Sequence, residues 1–309
     1  MAEVVLVGHI VLDTVIKGNR RWQSLGGTVV YGSFAALRHE AKPVIVSKVG
    51  EDFPDEYLLL LARNGIDISY VRVVKGTKTT RFKLTYKDSD RELTLLAKAE
   101  NIKRVDVDLV DFEEKIALVG SVASEVEVEA LESIRSRATL TAIDLQGYLR
   151  PTKIKEPLKL VRNDAALKAL SHANIVHADA EEAKILTGLD PHLSAKWIAE
   201  HGPSIVLVTM GSDGAYVAWK NNLIYVPAAE PSQVIDATGA GDIFLTVFAI
   251  EYSRGLSVEE AAAIAAAAVS FRVERQGFEG LRERWRVRNR ARDIMDKIRP
   301  VEVTEAKII

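Results

Sequence analysis

Residues 44–65 read Val44-Ile-Val-Ser-Lys-Val49-Gly50-Glu-Asp-Phe-Pro54-Asp-Glu-Tyr-Leu58-Leu-Leu-Leu61-Ala62-Arg-Asn64-Gly65, and this unit sets the fold class. Val44 to Val49 is a short run rich in β-branched residues, of the kind that suits a strand covered on both faces, as in a parallel sheet dressed by crossover helices. From Pro54 to Asn64 the period changes. Leu58, Leu61 and Ala62 fall on one helical stripe, and Gly65, without a Cβ, permits the left-handed residue that ends helices. Outward from this unit the strand pattern recurs at Val4 to Val7, Ile116 to Val119, Leu140 to Ile143, Ile175 to Val176 and Ile205 to Thr209. A second helix starts at Ser257, where Glu260 completes a capping box before an alanine-rich run to Ala268. Strand then helix, repeated, predicts an α/β chain with a doubly wound, mainly parallel sheet.

One region breaks the rhythm. Arg81 to Lys87 alternates strictly, with Phe82, Leu84 and Tyr86 on one side and Arg81, Lys83, Thr85 and Lys87 on the other, as expected of a half-exposed strand. Asp88 to Asp90 supplies turn chemistry and Glu92 to Ala97 resumes as a partner strand. A small β-ribbon projects here. It is expected to be a lid over a site, a dimer edge or an ordinary surface hairpin.

Composition narrows the chemistry. With 48% hydrophobic and 27% charged residues, a large core is available. Lys and Arg number 41 against 43 Asp and Glu, so the net charge of -2 provides no global field for a phosphate backbone. The absence of cysteine excludes disulfides, thiolate metal sites and a cysteine nucleophile. Residues 1–12 lack a basic leader and a cleavage site, and no apolar stretch is long enough for a membrane span. A cytoplasmic protein with a small-molecule partner, and neither nucleic acid nor membrane, is the expectation.

The chemistry concentrates in Asp236-Ala-Thr238-Gly239-Ala240-Gly241-Asp242, followed by an apolar run from Ile243 to Ile250 that reads as a helix. Glycines at the start of a helix let the backbone approach a ligand, and the free amides of the first turn favour an anion such as phosphate. Asp242 on that turn is placed to accept a proton from a hydroxyl attacking phosphorus. A dinucleotide fingerprint fails for want of a third glycine at the required offset, and no Walker lysine-serine pair exists.

These residues resemble the C-terminal signature of the ribokinase-type sugar kinases of the pfkB family, Asp-Thr-x-Gly-Ala-Gly-Asp, with Ala237 where the family commonly has threonine or serine. An N-terminal signature also fits: Gly8 and Asp13, then Gly26-Gly27, then Val49-Gly50-Glu51-Asp52, then Leu60 to Asp67 ending in Asn-Gly-Ile-Asp. The resemblance covers essentially the whole chain and implies one ribokinase-like kinase domain, 1–309, with lid elements at about 9–20 and 77–100. It implies that Gly239, Ala240 and Gly241 form the anion hole and that Asp242 is the general base. It also implies that Thr209, Gly211, Gly214 and Thr238 meet the nucleotide, in the Thr209-Met-Gly-Ser-Asp-Gly214 loop and the signature. Asp179-Ala-Glu-Glu182 matches a pattern written Asn-x-x-Glu, so Glu182, with Asp179 in place of asparagine, is implied to hold Mg2+ through water. Taken alone, that segment also reads as an acidic helix start.

The acceptor pocket is expected to depart from ribose. Where ribokinase-like members carry an asparagine four residues beyond the Gly-Gly pair, this chain has Tyr31, a ring with a single hydroxyl, which favours a different polyol. Asp144-Leu-Gln146-Gly-Tyr-Leu-Arg150 resembles the Asp-x-Gln-x-x-x-Arg stretch of the myo-inositol kinases of the family. Asp13, Gln146 and a lid residue such as Arg81 or Lys83 are expected around a cyclitol ring, with myo-inositol as acceptor and ATP as donor. Other sugars, nucleosides, 2-keto-3-deoxy sugar acids and a non-catalytic sensor are the alternatives. His177 is read as filling space at a strand end. Arg282, Arg284, Arg286, Arg288, Arg290 and Arg292 form a basic run, interrupted or followed by Glu283, Asp293 and Asp296, that reads as a solvated helix face rather than a nucleic-acid surface. A homodimer through the lid is a further expectation.

Overall fold

The computed structural model describes residues 2–87, 90–150 and 152–302, so residues 88–89 of the expected ribbon turn lie outside the described residues. In chain order the strands are β1 Glu3–Val7, β2 Val11–Lys17, β3 Arg20–Gly26, β4 Lys42–Gly50, β5 Asp67–Val74, β6 Arg81–Lys87, β7 Asp90–Ala97, β8 Ile116–Val119, β9 Leu140–Asp144, β10 Ile175–Asp179, β11 Ile205–Thr209, β12 Ala215–Trp219, β13 Asn222–Val226 and β14 Arg299–Pro300. Among the described residues they form a 10-stranded sheet in the order β14-β13-β12-β11-β10-β9-β8-β1-β4-β5, and a 4-stranded sheet, β3-β2-β6-β7. From β5 to β11 neighbours run parallel; β12, β13 and β14 continue antiparallel.

Both faces of the large sheet are covered, which is why its central strands carry apolar residues on both sides. On β1, Val4 and Leu6 join one core, with Val29, Phe248, Ala265 and Val287 from the helices Thr28–Arg38, Ala240–Ser253, Val258–Val273 and Arg284–Met295. Val5 and Val7 join the other, with Leu131, Ala169, Leu186 and Ile198. The Ala240–Ser253 helix is buried from Ile243 to Glu251. The alanines of its neighbour, capped by Ser257 and Glu260 as expected, are small enough to let the two helices lie close.

The small sheet is mixed rather than a plain ribbon, because β2 runs parallel to β6 between the hairpin partners β3 and β7. Phe82 and Leu84 turn inward onto Val11, Leu95, Val122 and Ala123. A buried polar knot ties this sheet to the body. The His9 amide donates to Glu125, its ring nitrogens lie 2.7 Å from the Thr80 hydroxyl and 2.9 Å from the Glu100 carbonyl, and the Ala99 amide donates to Thr80. Three of the segments that cross between the sheets therefore meet at one histidine.

The C-terminal basic run is partly internal. Arg284 forms two hydrogen bonds of 2.7 Å to the fully buried Glu251, which also meets Arg254 and the His39 ring at 3.0 Å. Arg290 reaches Glu274 at 2.9 Å and lies over the Phe271 ring. Burial alone would raise the Glu251 carboxyl, but Arg284 and His39 hold it at about 2, below its ordinary 4.5. A depressed carboxyl contributes stability above the unfolded value and loses it as pH falls toward the folded one, here roughly 3 kcal/mol between pH 5 and 2. Glu251→Gln is therefore expected to cost about 3 kcal/mol at pH 7, since it leaves Arg284 half-satisfied. In urea unfolding the gap between the two proteins should shrink at pH 3; a gap independent of pH would contradict this.

Candidate active site

Three neighbouring strands deliver polar residues to the carboxyl edge of the sheet, the edge at which open α/β folds bind ligands. β9 ends in Asp144, β10 carries His177 and ends in Asp179, and β11 ends in Thr209, with His177 in register with Asp144 and Asp179 with Thr209. The Ala240–Ser253 helix brings its amino end to the same edge. Its N-cap, Gly239, has φ 78°, and a Cβ there would lie 2.5 Å from the Tyr31 ring. Only glycine relieves both demands. The Ala240 amide donates to the Ala237 carbonyl, whereas helical geometry leaves the Gly241 and Asp242 amides without intrahelical acceptors.

Asp242, on the first turn, faces a cavity of about 100 Å³ lined by Asp13, Gly27, Thr28, Tyr31, Gln146, Arg150, Thr238 and Gly239, and closed by Phe82, Leu84 and Leu93 of the small sheet. Gln146 donates to the Thr28 hydroxyl at 3.0 Å and to Asp242 at 3.3 Å. Asp13 stands on β2, and Gly26, on β3 opposite Val11, leaves it room, since a Cβ there would come 2.6 Å from the carboxylate. Burial, and next the Asp144 carboxylate, push the Asp242 carboxyl up to about 6, against the Thr28 hydroxyl, His177 and Arg150. Arg150 is the only cation lining this cavity among the described residues. A wider cleft of about 860 Å³ opens beside it, sharing Asp13, Tyr31, Leu84 and Thr238.

His177 does more than fill space. One ring nitrogen lies 2.8 Å from Asp144 and the other 3.0 Å from the Thr209 hydroxyl, while the ring sits under Gly241. Burial alone would depress its pKa, but Asp144 raises it, so the ring supplies positive character beneath the helix start. Both ring nitrogens are engaged by side chains of the neighbouring strands.

Asp179 and Glu182 form a reciprocal capping box at the start of the helix Ala180–Thr187: each carboxylate accepts the other's amide, at 2.8 and 2.9 Å. Glu182 is buried rather than solvated, and burial, with Asp144 and Asp179 beside it, pushes its carboxyl up to about 8. Beyond Thr209, the Met210 amide donates to the Gly214 carbonyl, and the segment is a β11–β12 hairpin connection with Gly211 at φ 58° and Gly214 at φ 82°; neither glycine lines the two cavities.

The structure thus brings together Asp13, Gly27, Tyr31, Gln146, Arg150, Thr238, Gly239 and Asp242, with Asp144 one hydrogen-bond step behind. It does not bring in Arg81 and Lys83. Strand alternation turns them away from the face bearing Phe82 and Leu84, and Arg81 is held by Asp52 at 3.0 Å. Thr28, Leu93 and the His177 bridge escape sequence reasoning; only the position of Thr28 after the Gly-Gly pair signals it.

The sequence and the fold are similar to those of known kinases. The pattern of the pfkB family carbohydrate kinases matches residues 1–283. The cytidine kinase of Thermococcus kodakarensis is 28% identical over 266 residues, 84% of this chain and 92% of that protein. The inositol 3-kinase of Zea mays is 28% identical over 291 residues, 87% of this chain and 72% of that protein. Among solved structures, a pyrophosphate-dependent kinase of the ribokinase family, complexed with a pyrophosphate analog and myo-inositol, superposes with a TM-score of 0.79 at 23% identity, over 94% of this chain and 100% of its own. The Arabidopsis thaliana ribokinase complexed with ribose and ATP gives 0.77 at 21% identity, over 94% and 99%. The fold is ribokinase-like. With the family pattern spanning most of its length, the chain belongs to the pfkB family of carbohydrate kinases, phosphotransferases that act on hydroxyl groups.

Proposed function

We propose that the protein transfers the γ-phosphoryl group of ATP to a hydroxyl of a small polyol, with myo-inositol as the first acceptor. The observation that carries this reading is the position of Asp242, on the first turn of a helix whose amides face outward and at the wall of a cavity ringed by Asp13, Gln146 and Arg150. A carboxyl of about 6 is a competent base near neutral pH, and Gln146 orients it. The acceptor hydroxyl gives its proton to Asp242 as its oxygen bonds to phosphorus and the bond to the leaving nucleotide oxygen breaks. The amide end of the helix receives the charge that develops on the transferring group.

A divalent cation suits the carboxylate side of the site. Asp179 and Glu182 each keep an oxygen outside the capping box, hard donors of the kind Mg2+ accepts. Among the described residues no three ligating side chains stand together, so such an ion would be held mainly by phosphates and water. When bound, it would neutralise phosphate charge. Thr209, Gly211 and Gly214 are the nucleotide's rim in this reading. The 4-stranded sheet is its lid, which excludes water as a competing acceptor. Its inward apolar face favours closure over substrate above pairing with a second subunit.

The Zea mays relative, an inositol 3-kinase, and Gln146 in the acceptor wall support a cyclitol; the Thermococcus kodakarensis relative, a cytidine kinase, makes a nucleoside the second reading. Coupled ADP release against myo-inositol, ribose, fructose 6-phosphate, cytidine, adenosine and ketodeoxygluconate should be fastest with myo-inositol; preference for any other replaces that acceptor, and inertness toward all sinks the catalytic reading. Asp242→Asn is expected to lower kcat about 1,000-fold while nucleotide binding, followed by calorimetry, survives. The acid limb of kcat/KM should fall near pH 6, where Asp242 gains its proton; a limb near 3.8 would show that burial does not tune the base.

A further inference from the structure

Arg272 is fully buried near the carboxyl end of the alanine-rich helix Val258–Val273, where a guanidinium is costly unless its donors are met. Four of its five donors are met by oxygens, and the buried Nε–H has no partner among the described residues. Arg272 donates to the Asp236 carbonyl at 3.0 Å, the Asp236 carboxylate at 2.9 Å, the Thr238 carbonyl at 2.8 Å and the Arg275 carbonyl at 2.9 Å. The group also lies 5.5 Å from the centre of the Tyr31 ring, the ring that packs on Gly239. Two main-chain bonds from Ile235 and Asp236 to the Val273 carbonyl run beside it. Arg272 lines neither cavity, so it touches no reactant.

We propose that Arg272 is the positioning residue of the reacting loop: a fixed internal cation that sets the backbone of Asp236 to Thr238 and, through it and Tyr31, the left-handed turn that aims the Gly241 amide and Asp242. The argument is electrostatic. Two carbonyls and a carboxylate of the loop, and one carbonyl beyond the helix end, converge on a single point, where their negative ends repel unless a cation stands among them. The carboxyl end of the helix adds negative character there. A planar fork with five donors can span this set, whereas the point charge of a lysine cannot. Asp236 answers in kind: burial would raise its carboxyl, but the Thr238 amide and Arg272 hold it below the ordinary range. The signature aspartate thus serves the loop from the wall of the wider cleft and leaves the smaller cavity to Asp242.

The role rests on the phosphotransfer reading, and one experiment separates the two. Arg272→Ala is assayed with the best acceptor, alone and with millimolar guanidinium ion, urea serving as the neutral isostere. The expected result is a loss of about 100-fold in kcat with acceptor KM nearly unchanged, recovered in large part by guanidinium and not by urea. Unaltered kcat, or a loss in the folded variant that guanidinium leaves in place, overturns the proposal. If Arg272→Ala does not fold, Arg272→Lys is read by the same split, and a change in KM alone overturns it. Should the wild-type chain phosphorylate no acceptor, the functional reading fails. Hydrogen exchange at residues 239–242 then decides for Arg272: faster exchange in the variant, reversed by guanidinium, upholds the role, and unchanged exchange removes it.

Discussion

A single turn of backbone, Gly239 in the left-handed conformation with the Tyr31 ring where its Cβ would be, carries the chemical design of this protein. The turn ends a loop that climbs from the C-terminal half of the large sheet and starts a helix buried over nearly its whole length. Because that helix is packed between the sheet and its alanine-rich neighbour, its amino end cannot drift, and the amides of its first turn stay at the carboxyl edge of β9, β10 and β11. A carboxylate on that turn is therefore held to the same tolerance as the core. Positioning of this kind supplies most of what phosphoryl transfer needs from a protein.

The site gathers acidic groups faster than it neutralises them. Asp144, Asp179, Glu182 and Asp242 come from four separate elements, and among the described residues Arg150 and His177 stand by them as partners. Burial and mutual repulsion raise two of these carboxyls, to about 6 and about 8. An arrangement that crowds negative charge in this way is poised to gain from a cation that arrives with a polyphosphate. His177 manages part of the strain from below. It ties the acceptor-side Asp144 to the donor-side Thr209 with one ring, so the two halves of the site share a rigid floor.

Charge elsewhere in the chain has a different use. Glu251, fully buried, collects His39, Arg254 and Arg284 and joins the amino-terminal helix to the last one, while Arg290 reaches Glu274. Two arginines of a run that looks like a surface feature in the sequence therefore bind the helical layer together. Removing one partner from such a buried network leaves a charge uncompensated and costs a great deal.

The sequence by itself determined the layered architecture, because apolar residues on both faces of a strand leave a parallel sheet with helices on each side as the arrangement that hides them, and β1, β4, β8, β9, β10 and β11 all carry that pattern. It determined the reacting loop too, since glycines before an apolar helix and an aspartate on the first turn are local features. The tertiary structure alone decided which distant side chains share the cavity. Arg81 and Lys83 lie on the expected strand but on its outer side, and the strand's pairing and docking, which face Phe82 and Leu84 inward, settle that. Its decision also covers the mixed pairing of β2 with β6, the inward turn of Arg284, and the convergence of Asp236, Thr238 and Arg275 on Arg272. These are contacts between residues far apart in the chain or main-chain groups common to every residue, so composition and spacing carry no mark of them.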